Sequence, residues 1–189
     1  MSPAWLVTDL GDLFAASSVA LAVAVWIGLN LSRLSALAWL VCYGATFGVV
    51  VLVKLWTARH FPQPDMTPLW APSAGAPSGH AALATMVYGG AAALFLKTGR
   101  GLGAKLAAGV SLGILALICV TRVTLHTHTI ADVVAGAAVA SAFLALFARV
   151  LDVQASGRAL KASPLLVSML IIAAAAVASG VRISSDHFL

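Results

Sequence analysis

Six apolar runs, near residues 12–30, 36–57, 79–97, 104–122, 128–149 and 163–181, take up most of this 189-residue chain. Each is about the 20 residues that a helix needs to cross a hydrocarbon core roughly 30 Å thick. Lipid offers the backbone no water to bond with. A crossing segment must therefore satisfy its own N–H and C=O groups, as a helix or in a closed barrel. Runs of this length, rich in Ala, Val, Leu and Gly, predict helices. The expected fold is all-α: six transmembrane helices in one bundle, a single domain over residues 1–189. Composition points the same way, with 61% hydrophobic and only 9% charged residues, where a soluble domain carries about 25% charged. Small residues such as Ala91, Ala92 and Ala93, and the alanines of 173–176, let helices approach closely. The first run lies behind Asp9 and Asp12 without a basic leader or a small-residue cleavage site, so no removable signal peptide is expected.

The position of the cations says more than the net charge of +5. Arg33, Lys97, Arg100, Lys105, Arg149, Arg158 and Lys161 fall in or beside the loops joining runs one and two, three and four, and five and six. The positive-inside tendency turns those loops toward the cytoplasm. Lys54, Arg59, Arg122 and Arg182 remain for the opposite side, where both termini are also expected. Orientation, helped by attraction to anionic lipid, accounts for the basic balance without a nucleic-acid partner. Cys42 and Cys119 sit inside runs two and four and read as packing residues rather than as a disulfide or metal pair.

Ionisable groups are expensive in lipid, and a concentration of them at helix ends reads as a functional site. Three islands stand out: Lys54 followed by Pro62; Pro77, Ser78, Gly79 and His80; and Arg122, His128 and Asp132 at intervals of six and four. His128 and Asp132, four apart at the start of run five, share one helical face. The carboxylate can fix the imidazole tautomer and leave the other ring nitrogen free as a nucleophile. Arg122 ends run four, and the short link 123–127 can return its guanidinium, a planar fork of donors suited to a phosphoryl group, to that imidazole. A helix-terminal histidine paired with an acid for stability explains these three residues equally well. The second island opens run three. Ser78 reads as an N-cap, the free amides of the first turn form an anion site, and Gly79 lets a phosphate approach. His80 stands one residue inside, placed to protonate a departing oxygen. Lys54 alone would be a snorkelling anchor; beside the other islands it is a fixed positive charge for phosphate oxygens. Residues 58–77, with Pro62, Pro64, Pro68 and Pro72, cannot form one continuous helix. They are expected to form an outer lid, with Trp56 and Trp70 at the headgroup level and Asp65 solvated. His126 reads as an exposed loop residue and His187 as tail.

These residues resemble the signature of the type 2 phosphatidic acid phosphatase (PAP2) superfamily: a lysine with Arg-Pro after six residues, then Pro-Ser-Gly-His, then Ser-Arg with five residues to His and three more to Asp. The second part matches in full at residues 77–80. The third matches as Thr121-Arg122, His128 and Asp132, with threonine for serine. The first departs, because Lys54 and Pro62 are in register but Phe61 holds the arginine position and Arg59 lies two places early. The resemblance implies a membrane phosphatase in which His128 attacks phosphorus, Asp132 supports its charge and His80 protonates the leaving oxygen. Lys54, Arg122, Ser78, Gly79 and, by a loop, Arg59 would bind the phosphate. It implies no metal and no other cofactor.

The expected function is an integral membrane lipid phosphatase working through a phosphohistidine, with its site on the outer face of a bacterial inner membrane. A small chain of this kind resembles bacterial enzymes acting on undecaprenyl diphosphate, phosphatidylglycerol phosphate, phosphatidic acid or lipid A, the first being preferred. The same residues could transfer the phosphoryl group to a lipid or sugar hydroxyl. A non-catalytic transporter or scaffold is the reading from another class, supported by the missing arginine and opposed by the presence of both histidines.

Overall fold

A computed structural model gives the conformation of residues 3–154 and 162–181. Arg158, Lys161, Arg182 and His187 lie outside these described residues. The chain folds into helices α1 (Pro3–Asp9), α2 (Leu13–Asn30), α3 (Arg33–Thr57), α4 (Gly79–Ala84), α5 (Gly90–Thr98), α6 (Gly101–Thr124), α7 (Ile130–Gln154) and α8 (Ala162–Ala178). A π-helical turn, Thr85–Gly89, joins α4 to α5 in one rod. Short polar residues start the helices as capping predicts: the Asp12 side chain accepts from Phe14 N at 2.9 Å, and Ser32 Oγ accepts from Ser35 N at 3.0 Å.

Five segments are long and apolar enough to cross a membrane: α2, α3, the rod Gly79–Thr98, α6 and α7. The sixth expected span is represented by α8, which is apolar but only 17 residues long. Its flanks, 155–161 and 182–189, lie outside the described residues, so the structure supports five spans and a shorter sixth helix. The short helix α1 was not expected from the hydropathy pattern.

The rod is the hub. Of its most apolar window 83% is buried, against 22–39% for the other four spans, which turn large side chains such as Leu29, Leu52 and Leu102 outward. Lipid tails are as apolar as these side chains, so burial drives little helix association there, and close packing of small residues must do it. The rod supplies Ala81, Ala82, Ala84, Ala91 and Ala92, all buried. Trp39 keys the bundle from α3: fully buried, it donates Nε1–H to the Ala20 carbonyl of α2 at 2.9 Å and meets Phe147 of α7 edge-on at 5.2 Å. That bond satisfies the one polar atom of the indole.

The two ends of the bundle differ. At one end Lys97 of α5 pairs with Asp152 of α7, and Leu34 of α3 shares a small cavity with Arg149. The end of α3, the start of α4, the end of α6 and the start of α7 lie at the other, so all three islands share one end, remote from Arg33, Lys97 and Arg149. Across that end runs the segment 58–77, irregular except for a 3-10 turn, Pro64–Met66. It is tied to the bundle by hydrogen bonds. Ile130 N donates to Leu69 O at 2.7 Å, Thr129 Oγ1 to Ala71 O at 2.8 Å, Ala74 N to Pro62 O at 2.8 Å, and Thr57 Oγ1 to Ala76 O. Prolines leave a chain few amides to pair, and here the carbonyls cap neighbouring helix ends instead.

Candidate active site

The turn between α6 and α7 is built on one carbonyl. Arg122 O accepts from Thr127 N and His128 N at 3.2 Å each, and from Thr127 Oγ1 at 3.0 Å. His126 reverses the chain with φ 54°, the left-handed region that few non-glycine residues enter. His128 is thereby folded back beside the end of α6, whereas the short link predicts that the Arg122 guanidinium returns to the imidazole. His128 does not, however, lie on α7. That helix begins at Ile130, so the expected shared helical face is replaced by a capped turn. Thr129 N donates to Asp132 Oδ2 at 3.0 Å and Asp132 N to Thr129 Oγ1 at 3.1 Å, a reciprocal capping box. The box swings the carboxylate back until Oδ2 is 3.5 Å from His128 Nδ1. That separation is long for a hydrogen bond.

Asp132 is fully buried, so its charge requires partners. Ser73 provides two: its N–H donates to Oδ1 at 2.9 Å and its hydroxyl to Oδ2 at 2.6 Å. The Asp132 carbonyl in turn accepts from Ser78 N at 2.9 Å, a backbone bond that ties the second island to the third. Gly136, one turn along α7, makes the approach possible, because a Cβ there would collide with the Ser78 carbonyl oxygen. Ser78 caps α4 as expected, accepting from Ala81 N at 3.5 Å. Its own amide is spent on Asp132. His80 follows, 5% exposed.

A cavity of about 640 Å³ opens at this end, with Lys54, Gln63, Asp65, Gly75, His126 and His128 in its lining. Lys54 is 2% exposed, which does not suit a snorkelling anchor. The structure brings Lys54 and His128 to this one cavity. Ser78, Gly79, His80, Arg122 and Asp132 are buried at the same end and stand outside its lining. Arg122 Nη1 donates to Thr8 Oγ1 of α1 at 3.3 Å. Arg59 is exposed on the turn after α3 and also stands outside the lining. Phe61, in the position where arginine was looked for, packs edge-on against Trp56 at 5.7 Å, and His60 stacks on the same indole at 4.6 Å. Asp65 and His126 are exposed, as expected, but both face the cavity. Among the described residues no group of three or more His, Cys, Asp or Glu side chains converges as a metal site requires.

Sequence reasoning missed Ser73, Gly136 and Thr8. Only the capping box had a legible signal, the Thr-x-x-Asp of residues 129–132 ahead of an apolar run.

Residues 54–156 match the family model described as the PAP2 superfamily. The match covers more than half of the chain, begins at Lys54 and takes in all three islands: this chain belongs to the PAP2 superfamily. It is accordingly a phosphatase-type membrane protein. Neither a curated protein nor a solved structure matches the chain.

Proposed function

We propose that this protein is an integral membrane lipid phosphatase that hydrolyses a lipid phosphate or diphosphate through a phosphohistidine. The observation that carries the reading is the pairing of buried Lys54 with His128 on one cavity, with the Asp132 carboxylate 3.5 Å from the imidazole. A cation on the cavity and a nucleophile with an orienting acid are the minimum equipment for phosphoryl transfer to a side chain.

In the first step His128 Nε2, the nitrogen away from Asp132, attacks phosphorus. The N–P bond forms as the P–O bond to the lipid breaks, His80 delivers its proton to the departing oxygen, and Asp132 faces the positive charge that grows on the imidazole. In the second, water attacks the phosphohistidine, His80 takes the proton, the N–P bond breaks and inorganic phosphate leaves. Lys54, Arg122, the Ser78 hydroxyl and the Gly79 amide hold the non-bridging oxygens. Fixed donors of this kind supply most of the catalysis in such reactions. Arg59 contributes little, since it is exposed on the turn after α3. No step requires a metal, and a polyprenyl diphosphate is the first substrate to try. The cavity faces the outer leaflet, because the cations Arg33, Lys97, Arg100, Lys105 and Arg149 belong to the other end.

The deciding experiment uses the purified protein with EDTA and four lipids: a polyprenyl diphosphate, phosphatidic acid, phosphatidylglycerol phosphate and lipid A. Phosphate release from at least one is expected, with an acid-labile phosphoprotein that disappears in His128→Ala. Turnover retained by that variant removes the nucleophile assignment. Phosphate appearing on an added alcohol instead of in solution makes the protein a phosphotransferase.

A further inference from the structure

We propose that Ser73 is a positioning residue for this site, holding the Asp132 carboxylate in the orientation from which it serves His128, so that the three side chains act as a Ser73–Asp132–His128 relay. The inference rests on the reading of His128 as nucleophile, but its geometry is independent of any substrate. Ser73 is fully buried and reaches across 59 positions of sequence to grip both carboxylate oxygens, N–H to Oδ1 at 2.9 Å and hydroxyl to Oδ2 at 2.6 Å. A carboxylate held at one oxygen can still rotate; one held at both has its plane fixed. The direction of the hydroxyl proton is also set. Gly75 N donates to Ser73 Oγ at 3.1 Å, which takes up acceptor capacity and turns the single O–H toward Asp132. A hydroxyl this close to a buried carboxylate forms one of the stronger, charge-assisted hydrogen bonds.

The same short stretch also meets the imidazole. At Gly75 a Cβ would lie 3.2 Å from both Nδ1 and Cε1 of His128, so the Gly75 backbone forms one wall of the ring's seat while Ser73 fixes the acid behind it. The stretch is anchored from outside the relay: Ala74 N bonds Pro62 O at 2.8 Å, and Ala76 O accepts from Thr57 Oγ1, one turn along α3 from Lys54. Attack by Nε2 on phosphorus places positive charge on the imidazole. Stabilising it requires Oδ2 to remain opposite Nδ1–H, and the Ser73 hydroxyl, beside the Thr129 amide of the capping box, holds Oδ2 there.

The test compares Ser73→Ala, Asp132→Asn and the double variant. Loss of the hydroxyl is expected to lower kcat by about 10- to 100-fold with KM little changed. The double variant is expected to be no slower than Asp132→Asn, because Ser73 acts only through that carboxylate. Wild-type kcat in Ser73→Ala, or losses that multiply in the double variant, would overturn the relay. Ser73→Cys, similar in volume but a weak donor, covers an alanine form that does not fold: reduced kcat with unchanged thermal unfolding is expected, and wild-type kcat counts against the proposal. A second readout needs no turnover. In 15N-histidine spectra, with His128 assigned by its absence in His128→Ala, the Nδ1 resonance of Ser73→Ala should move in the direction of Asp132→Asn. An unmoved resonance in folded protein ends the relay. A wild-type chain inactive on every lipid phosphate removes the proposed function and leaves the spectra to decide the relay.

Discussion

Asp132 is the residue on which the second and third islands meet. Its carbonyl takes the Ser78 amide, its carboxylate takes Ser73 and Thr129, and Oδ2 faces His128. Removing its carboxylate therefore does something that removing His128 does not. Asp132→Ala strands three buried donors, each costing about 1–3 kcal/mol when left unmade. Thermal unfolding in detergent should fall clearly for Asp132→Ala and hardly for His128→Ala, while both lose turnover. Equal melting of the two would mean that the carboxylate does not hold the segment 58–77 in place. Lys54 and Arg59 form a second contrast. Lys54 is buried on the cavity and Arg59 exposed off it, so Lys54→Ala should raise KM and Arg59→Ala leave it at the wild-type value. A raised KM in Arg59→Ala would show that the turn after α3 swings inward with substrate bound. His80, His128 and Asp132 were legible as a cluster at one end of the bundle because ionisable side chains stand out among apolar runs. Ser73 was not, because one serine among prolines looks like any turn serine until the fold brings it 59 positions along the chain to an acid.

Among the helices, apolar run length gave the rod, α2, α3, α6 and α7 nearly to their ends, because lipid solvation leaves a segment little choice but helix. It did not give the start of α7, which a capping box moved to Ile130, or the π-helical turn in the rod, since both depend on side-chain partners rather than hydropathy. Nor could it rank the glycines. Gly136 and Gly113 look alike in sequence, each within an apolar run, but a Cβ at Gly136 strikes the Ser78 backbone and one at Gly113 has nothing within 4 Å. Backbone cannot move aside as a flexible side chain can. Gly136→Ala should therefore pry α4 from α7, at about 1–3 kcal/mol for overpacking, and lower activity by separating Ser78 and His80 from Asp132. Gly113→Ala should melt at or slightly above the wild-type temperature, since alanine suits helices better than glycine. If the two variants melt and turn over alike, close approach at Gly136 is not what joins the second island to the third.

For the molecule as a whole, under the proposed function the separation of its two ends bears on which leaflet would supply substrate. The cavity end carries Lys54, His126 and His128, whereas the end with the Lys97–Asp152 pair also carries Arg33 and Arg149. Loop cations within a few residues of a span bias that loop to the cytoplasm, and cations committed to a buried site, like Lys54 and Arg122, should carry little weight in that balance. The distribution was visible in the sequence, but the fold separates the two kinds of cation by showing that Lys54 and Arg122 are buried. A membrane-impermeant maleimide tests the orientation directly. Cys42 and Cys119 lie within α3 and α6 and can first be changed to alanine. In that background Gln63→Cys, exposed at the cavity mouth, should label in intact cells. Arg100→Cys, exposed in the link between α5 and α6, should label only after permeabilisation. The opposite pattern would turn the cavity toward the cytoplasm, and the lipid it serves would then have to be one whose phosphate is carried on the inner leaflet.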